Sequence, residues 1–272
     1  MILNRILYIF IFLALIITAN SFALTNKNTV YVYHDAGVSE ESFLQTMHSL
    51  KSELTANYYI VPINAQTVIK NNWTKNAALF VMPGGADLPY MEKLKNIGNK
   101  NISNYVKNGG AYLGICAGSY YGASYVEFDK NGKLEVIGKR ELAFFPGKAI
   151  GPVLAPYDYK SNSGVRAATQ YLQFNPMKKT VVYYNGGGYF ENANHYSNVT
   201  VLANYANHLP SIIYIPYEKG RVILSGVHVE YDAALLDKHD VYLKKIIPQL
   251  KKYSVSRKIF FKEMLRKLGI VM

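Results

Sequence analysis

Apolar positions recur along this chain with two periods, and the switches between them mark out its elements. Residues 29–33 alternate and are rich in valine and tyrosine, which predicts a first strand ending at His34-Asp35-Ala36-Gly37. Ser39 then caps a helix. Glu40 and Glu41 suit its first turn, and Phe43, Leu44, Met47, Leu50 and Leu54 give it an apolar face. Residues 58–63 predict a second strand, followed by a short polar segment around 66–72, and a third strand over 77–82 runs into Pro83-Gly84-Gly85-Ala86-Asp87. A helix over 101–107 stops at Asn108-Gly109-Gly110, and a fourth strand through Ala111-Tyr112-Leu113 leads into Gly114-Ile115-Cys116-Ala117-Gly118. The second half is richer in strand and less regular. Residues 134–138, 181–184, 199–202, 212–215 and 222–224 read as strands, the last ending at Ser225-Gly226-Val227-His228-Val229-Glu230.

Strand and helix in alternation imply an α/β domain with a mostly parallel sheet and helices on both faces. Ligands gather at the carboxyl ends of such strands. His34-Asp35, Pro83-Gly84-Gly85 and Cys116 all fall at such ends, so three separated stretches converge on one edge, and His34 is placed to line a pocket there.

Small residues at every second position around Cys116 predict a strand that stops, turns on the thiol and enters a helix, the geometry of a nucleophile elbow. The helix would aim its N-terminal N–H groups at the sulfur. A buried structural thiol is the alternative reading of the same five residues. A cysteine hydrolase also needs a base and a group to orient it, close in space only. His228 and Glu230 are two residues apart, hence on one side of an extended segment, and supply both. Gly84, Gly85 and Ala117 offer backbone N–H groups for an oxyanion hole. Asn185-Gly186-Gly187-Gly188 reads as a lid or a long turn, and Arg140-Glu141 as an ion pair fixing a loop, with a substrate contact as the alternative.

The ends of the chain change the setting. Arg5, the apolar run over residues 6–17 and Ser21-Phe22-Ala23 read as a secretory signal peptide over residues 1–23, implying a periplasmic or secreted protein. An uncleaved membrane anchor is the alternative. Export makes a single cysteine notable, because no internal disulfide can form. The net charge of +12 is concentrated near the C-terminus, where residues 238–272 carry ten Lys/Arg against two acids. In that basic helical tail, residues 237–272, Phe260, Phe261, Met264, Leu265 and Leu268 recur at helical spacing. The tail reads either as a helix docked on the core or as a peripheral contact with anionic envelope components. No metal-ligand spacing, cofactor motif or nucleic-acid module is visible.

Four stretches carry a family resemblance: Pro83-Gly84-Gly85-Ala86-Asp87-Leu88-Pro89-Tyr90, Gly109-Gly110-Ala111-Tyr112-Leu113-Gly114-Ile115-Cys116-Ala117-Gly118, Arg140-Glu141-Leu142-Ala143-Phe144-Phe145-Pro146-Gly147 and Tyr183-Tyr184-Asn185-Gly186-Gly187-Gly188. Across a domain at 24–236 the chain resembles the class I glutamine amidotransferase-like superfamily, and within it the N-terminal domain of biotin–protein ligases. The resemblance implies a flavodoxin-like three-layer sandwich with Cys116, His228 and Glu230 as its triad. Asp87, Ser119, Tyr120, Asn185 and Gly186 are the candidate pocket residues. Tyr120 stands where glutamine-hydrolysing relatives place a glutamine or methionine, and no biotin ligase domain is visible. The expected activity is that of an exported cysteine-dependent amidase or amidotransferase-like hydrolase acting on a small-molecule or peptide amide. A non-catalytic binding module on the same fold is the alternative.

Overall fold

The computed structural model describes residues 27–173 and 178–272. The segment read as a signal peptide lies outside the described residues. The first half contains β1 (Thr29–Tyr33), α1 (Glu40–Glu53), β2 (Tyr59–Ile63), α2 (Ala65–Lys70), β3 (Ala77–Met82), α3 (Asp87–Lys107), β4 (Ala111–Ile115) and α4 (Ala117–Tyr121). There follow β5 (Ala123–Phe128), β6 (Val136–Lys139), β7 (Phe145–Gly151), β8 (Arg166–Leu172), β9 (Lys179–Tyr184), β10 (Tyr189–Phe190), β11 (Thr200–Tyr205), β12 (Pro210–Tyr217) and β13 (Gly220–Ser225). The chain closes with α5 (Leu243–Lys252) and α6 (Ser254–Lys267).

Nine strands form one sheet in the order β2-β1-β3-β4-β13-β12-β11-β8-β9. The first five are mutually parallel, and the rest join antiparallel, so that only β12 and β8 run against the others. Alternation along each strand sends side chains into two cores. Val30, Val32, Leu79, Val81, Leu113 and Ile223 face α1 and α6, while Phe80, Met82, Tyr112, Val222 and Leu224 face α3, α4 and a second sheet. That second sheet, β10-β7-β5-β6, brings Val126, Phe128 and Val136 to a cavity shared with Cys116. The molecule is a flavodoxin-like three-layer α/β sandwich.

Local chemistry explains the element ends. The Ser39 side chain accepts from the Ser42 N–H at 3.5 Å to start α1. Phe43, Leu50 and Leu54 are buried, whereas Leu44 points outward. The polar stretch expected at 66–72 contains α2, capped by Asn64 accepting from Thr67 N–H at 2.9 Å and stopped by Asn71 at φ +57°. The helix expected at 101–107 is the last third of α3, whose turns break at Lys95 and Asn96. It ends as expected, on Gly109 at φ +96° with Gly110 N–H donating to Tyr105 O.

Residues 237–272 hold α5 and α6. Phe260, Phe261, Met264, Leu265 and Leu268 are buried against the central sheet. One of the basic residues of this segment is buried as well: the Arg257 guanidinium donates to Tyr231 O (2.9 Å), Leu250 O (2.7 Å) and Val181 O (3.3 Å).

Candidate active site

The elbow is set by backbone crowding. Cys116 sits at φ +49°, ψ −108°, a conformation rare for any residue with a side chain. Its N–H donates to Ser225 O on β13, and its carbonyl accepts from the Ser119 and Tyr120 amides of α4. A Cβ on Gly118 would lie 2.0 Å from Met82 O, and one on Gly114 would lie 2.4 Å from Gly118 O. The small residues flanking the thiol are therefore where β3, β4 and α4 touch main chain to main chain.

β13 lies beside β4 with Ser225 opposite Ile115, so the chain leaving β13 passes the thiol at once. His228 is fixed by its N–H donating to Tyr183 O, and its Nδ1 meets Glu230 Oε1 at 2.7 Å. The imidazole stands beside Cys116, with which it lines the smaller cavity, and the Cys116 thiol donates to Asn185 O at 3.6 Å. Both His228 and Glu230 are buried. Burial pulls the imidazole pKa down, but the Glu230 charge and the bonds to Cys116 and Glu230 outweigh it and raise the value to about 10. The segment is clamped from α1 and α6. Ser49 Oγ donates to Glu230 O, Gln45 exchanges hydrogen bonds with the Asp232 main chain, and Arg257 holds Tyr231 O.

The three expected oxyanion donors part company. The Gly84 N–H donates to Ser42 Oγ at 2.9 Å and is engaged, which corrects that expectation. Gly85 lines the cavities at the thiol, and Ala117 supplies the first amide of α4, one of the N–H groups a helix cannot pair internally. Gly84 is still required to be small, because a Cβ there would lie 2.8 Å from the His228 ring and 3.3 Å from the Cys116 Cβ.

Two cavities meet at Cys116. The larger, about 400 Å³, is lined by Asp87, Tyr120, Asn185 and Gly186 together with Val126, Phe128, Tyr157 and Tyr159. The smaller, about 50 Å³, reaches Ser39, Glu41, Ser42, Tyr183, His228 and Tyr231. Burial chiefly raises the Glu41 carboxyl, against the pull of His228. Tyr120 lines the larger cavity together with the buried Cys116, and its hydroxyl is tied to Gly186 O at 3.1 Å. Ser119 lines neither cavity. Its Oγ turns back to Cys116 O at 2.7 Å, because one helical step from the elbow carries it to the buried side. His34 is likewise structural, stacked on Phe43 and paired with Glu40. Arg140 pairs with Asp87 rather than with Glu141, whose carboxylate accepts from Asn99. The glycines at 186–188 form a packed wall: Gly187 O accepts from Val153 N–H, Gly188 O accepts from Tyr205, and a Cβ on Gly187 would lie 1.6 Å from Gly226 O. Among the described residues no cluster of three or more His, Cys, Asp or Glu side chains could hold a metal ion.

Sequence reasoning missed Ser42, Glu41, Tyr157, Tyr159, Tyr183 and Tyr231. Tyr231 had one available signal, its place next to Glu230, and Ser42 and Glu41 face the thiol only through the docking angle of α1.

Comparison with known proteins places this geometry in context. The model of the family described as "Biotin-protein ligase, N terminal" matches residues 28–272. A biotin–protein ligase of Schizosaccharomyces pombe is 39% identical over 222 residues, which are 78% of this chain and 35% of that protein. The chain thus spans about a third of the length of that ligase. An uncharacterized protein of Chlamydia muridarum is 42% identical over 215 residues, 76% of this chain and 82% of that protein. A GMP synthase-like protein of Thermoplasma acidophilum superposes with TM-score 0.46 at 15% identity, covering 88% of this chain and 98% of that one.

Proposed function

This chain belongs to the biotin–protein ligase N-terminal family, and from that premise we propose that it is a cysteine-dependent amidase or amidotransferase-like hydrolase. The observation that carries the reading is a thiol held at positive φ beside an imidazole whose Nδ1 is paired to a buried carboxylate, at a cavity large enough for a small molecule.

In the proposed reaction the proton shared between Cys116 and His228 rests on the imidazole, where Glu230 stabilises the cation. The sulfur bonds to the amide carbon, and the carbonyl electrons move onto oxygen facing the Gly85 and Ala117 amides. Collapse breaks the C–N bond as His228 returns the proton to the departing amine. Water then adds to the thioester, with the imidazole taking its proton, and the acid leaves as the thiol is restored. The small cavity beside His228 and Glu41 is on the side from which that water would come.

Two measurements test this. Purified wild type should be alkylated at Cys116 by iodoacetamide near neutral pH faster than His228→Ala; equal, slow labelling would reject the activated thiol. Turnover of an amide library member lost in Cys116→Ser would separate catalysis from binding alone, the second reading. Cys116, though buried, lines the larger cavity alongside Tyr120, which supports catalysis over binding alone. Export is also proposed, on Arg5, the apolar run at 6–17 and Ser21-Phe22-Ala23, and recovery of a mature form beginning at Leu24 would support it.

A further inference from the structure

The larger cavity continues directly from the sulfur, so an acyl carbon bonded to Cys116 with its oxygen at Gly85 and Ala117 must place its substituent there. The lining has a definite chemistry. Apart from Cys116 and the tyrosines, its ionisable side chains are Asp87 and Glu92, and neither Lys, Arg nor His lines it. Asp87 Oδ2 receives the Arg140 Nε–H at 2.7 Å, and that guanidinium is buried outside the lining, also donating to the Gly138 and Lys139 carbonyls. Glu92 is exposed at the rim and makes no ion pair among the described residues.

The remaining wall is aromatic. Tyr120, Phe128, Tyr157 and Tyr159 form a continuous edge-to-face series with ring centroids 5.8, 6.2 and 4.8 Å apart. Burial raises Tyr120 well above its usual pKa and pushes Tyr157 up to about 12, so both are neutral phenols at pH 7 whose ring faces attract cations. Leu88, Pro89, Val126 and Val136 add apolar surface. A substrate carboxylate placed here would meet Glu92 and an Asp87 already paired to Arg140, whose Nη2 lacks a partner among the described residues but lies outside the lining. With no Lys, Arg or His in the wall it would lose its hydration without a partner. An ammonium on an apolar stem would meet aromatic faces and the unpaired Glu92.

Resting on the cysteine-hydrolase reading, we propose that the substrate is an amide whose acyl side carries an apolar group ending in an amine, and that free glutamine and other amides bearing a carboxylate on that side are excluded. The site selects through the Tyr157–Tyr159 corner and Glu92, while Asp87 is neutralised by Arg140 and shapes the wall.

The test uses the full chain and three chloromethyl ketone probes of equal length, whose tails on the acyl side of the carbonyl are phenyl groups ending in a primary amine, a methyl group or a carboxylate. The second-order rate of Cys116 alkylation is measured for each, and iodoacetamide with wild type and His228→Ala is run alongside to test the activated thiol separately. The expected order is amine, methyl, carboxylate, with each step about three- to tenfold, the size of one exposed charge contact plus one cation–π contact. Glu92→Gln, at an exposed position, should lower the amine-to-methyl ratio by about two- to threefold and leave the cation–π part in place. Equal rates for the three tails, a carboxylate preference, or an unchanged ratio in Glu92→Gln would overturn the proposal. Slow alkylation insensitive to His228→Ala would instead overturn the hydrolase reading, and the same three ratios would still decide the selectivity of the cavity.

Discussion

Replacing Arg257 with methionine asks whether the last helix supports the site or merely covers the sheet. The guanidinium is 2% exposed and donates to three main-chain carbonyls, two at 2.7 and 2.9 Å and one at 3.3 Å. Hydrogen bonds from a charged donor contribute about 1.5–3 kcal/mol each, and the two short ones dominate. Methionine leaves those acceptors without a donor, yet it also removes a charge whose burial is itself unfavourable, by several kcal/mol. The two effects partly offset, and the expected loss is about 2–4 kcal/mol. For a chain of this size that corresponds to a fall in Tm of about 5–15 °C. Urea unfolding of wild type, Arg257→Met and Lys258→Met checks it. Lys258 is half exposed and sits 4.0 Å from Glu53, so its loss should stay within about 0.5 kcal/mol. Because Arg257 grips the carbonyl of Tyr231, next to Glu230, the methionine variant should also be alkylated more slowly at Cys116. A loss below about 1 kcal/mol with an unchanged slope against urea would refute the argument, since the unsatisfied carbonyls alone should exceed that.

Three further outcomes follow from the geometry. The His228 pKa is raised from 6.5 to about 10, so its stabilising contribution is complete below pH 6.5 and lost as pH rises through 10; the Tm gap between wild type and Glu230→Gln should therefore be wide at about pH 6 and narrow at about pH 10.5, and a pH-independent gap would contradict the pairing. Gly118→Ala puts a Cβ 2.0 Å from a main-chain oxygen that cannot rotate away, which should cost about 1–3 kcal/mol in thermal or urea unfolding, and an unchanged Tm would contradict the close approach. Ser42→Ala leaves the buried Gly84 N–H without its acceptor, with an expected loss of about 1–3 kcal/mol; amide exchange at Gly84 measured by NMR should quicken, and unchanged protection would contradict the bond.

How far these features could be read in advance differs by element. β1, β3 and β4 were legible because both of their faces are buried and their ends are punctuated by Gly or Asp, and the turn at Cys116 was legible because only small residues fit where three segments of main chain touch. α2 was not, since six residues carry too little periodicity and its one clear signal is the Asn64 cap. The first part of α3 was hidden by Pro89 and by the break at Lys95 and Asn96. β5, β7 and β8 were missed because glycine, proline and polar residues interrupt their alternation. At the site, residues that meet through neighbouring strands were foreseen, and Cys116, His228 and Glu230 are indeed together. Contacts that depend on how a helix is seated were not, as Ser42 on the Gly84 amide and Ser119 turned away from the cavity both show.

The pairing of Ser225 with Ile115 has a consequence for how this chain could change over time. The thiol and the imidazole are more than a hundred residues apart, yet their separation is set by two adjacent strands, about 4.8 Å from each other in any sheet. Everything from β5 to β12 is looped out between two fixed posts. Lengthening or replacing its cavity wall, from β5 to Tyr159, would alter which molecules reach the thiol while β4, β13 and the Tyr183 carbonyl still hold the thiol and its imidazole, so new selectivity and retained reactivity can be inherited independently.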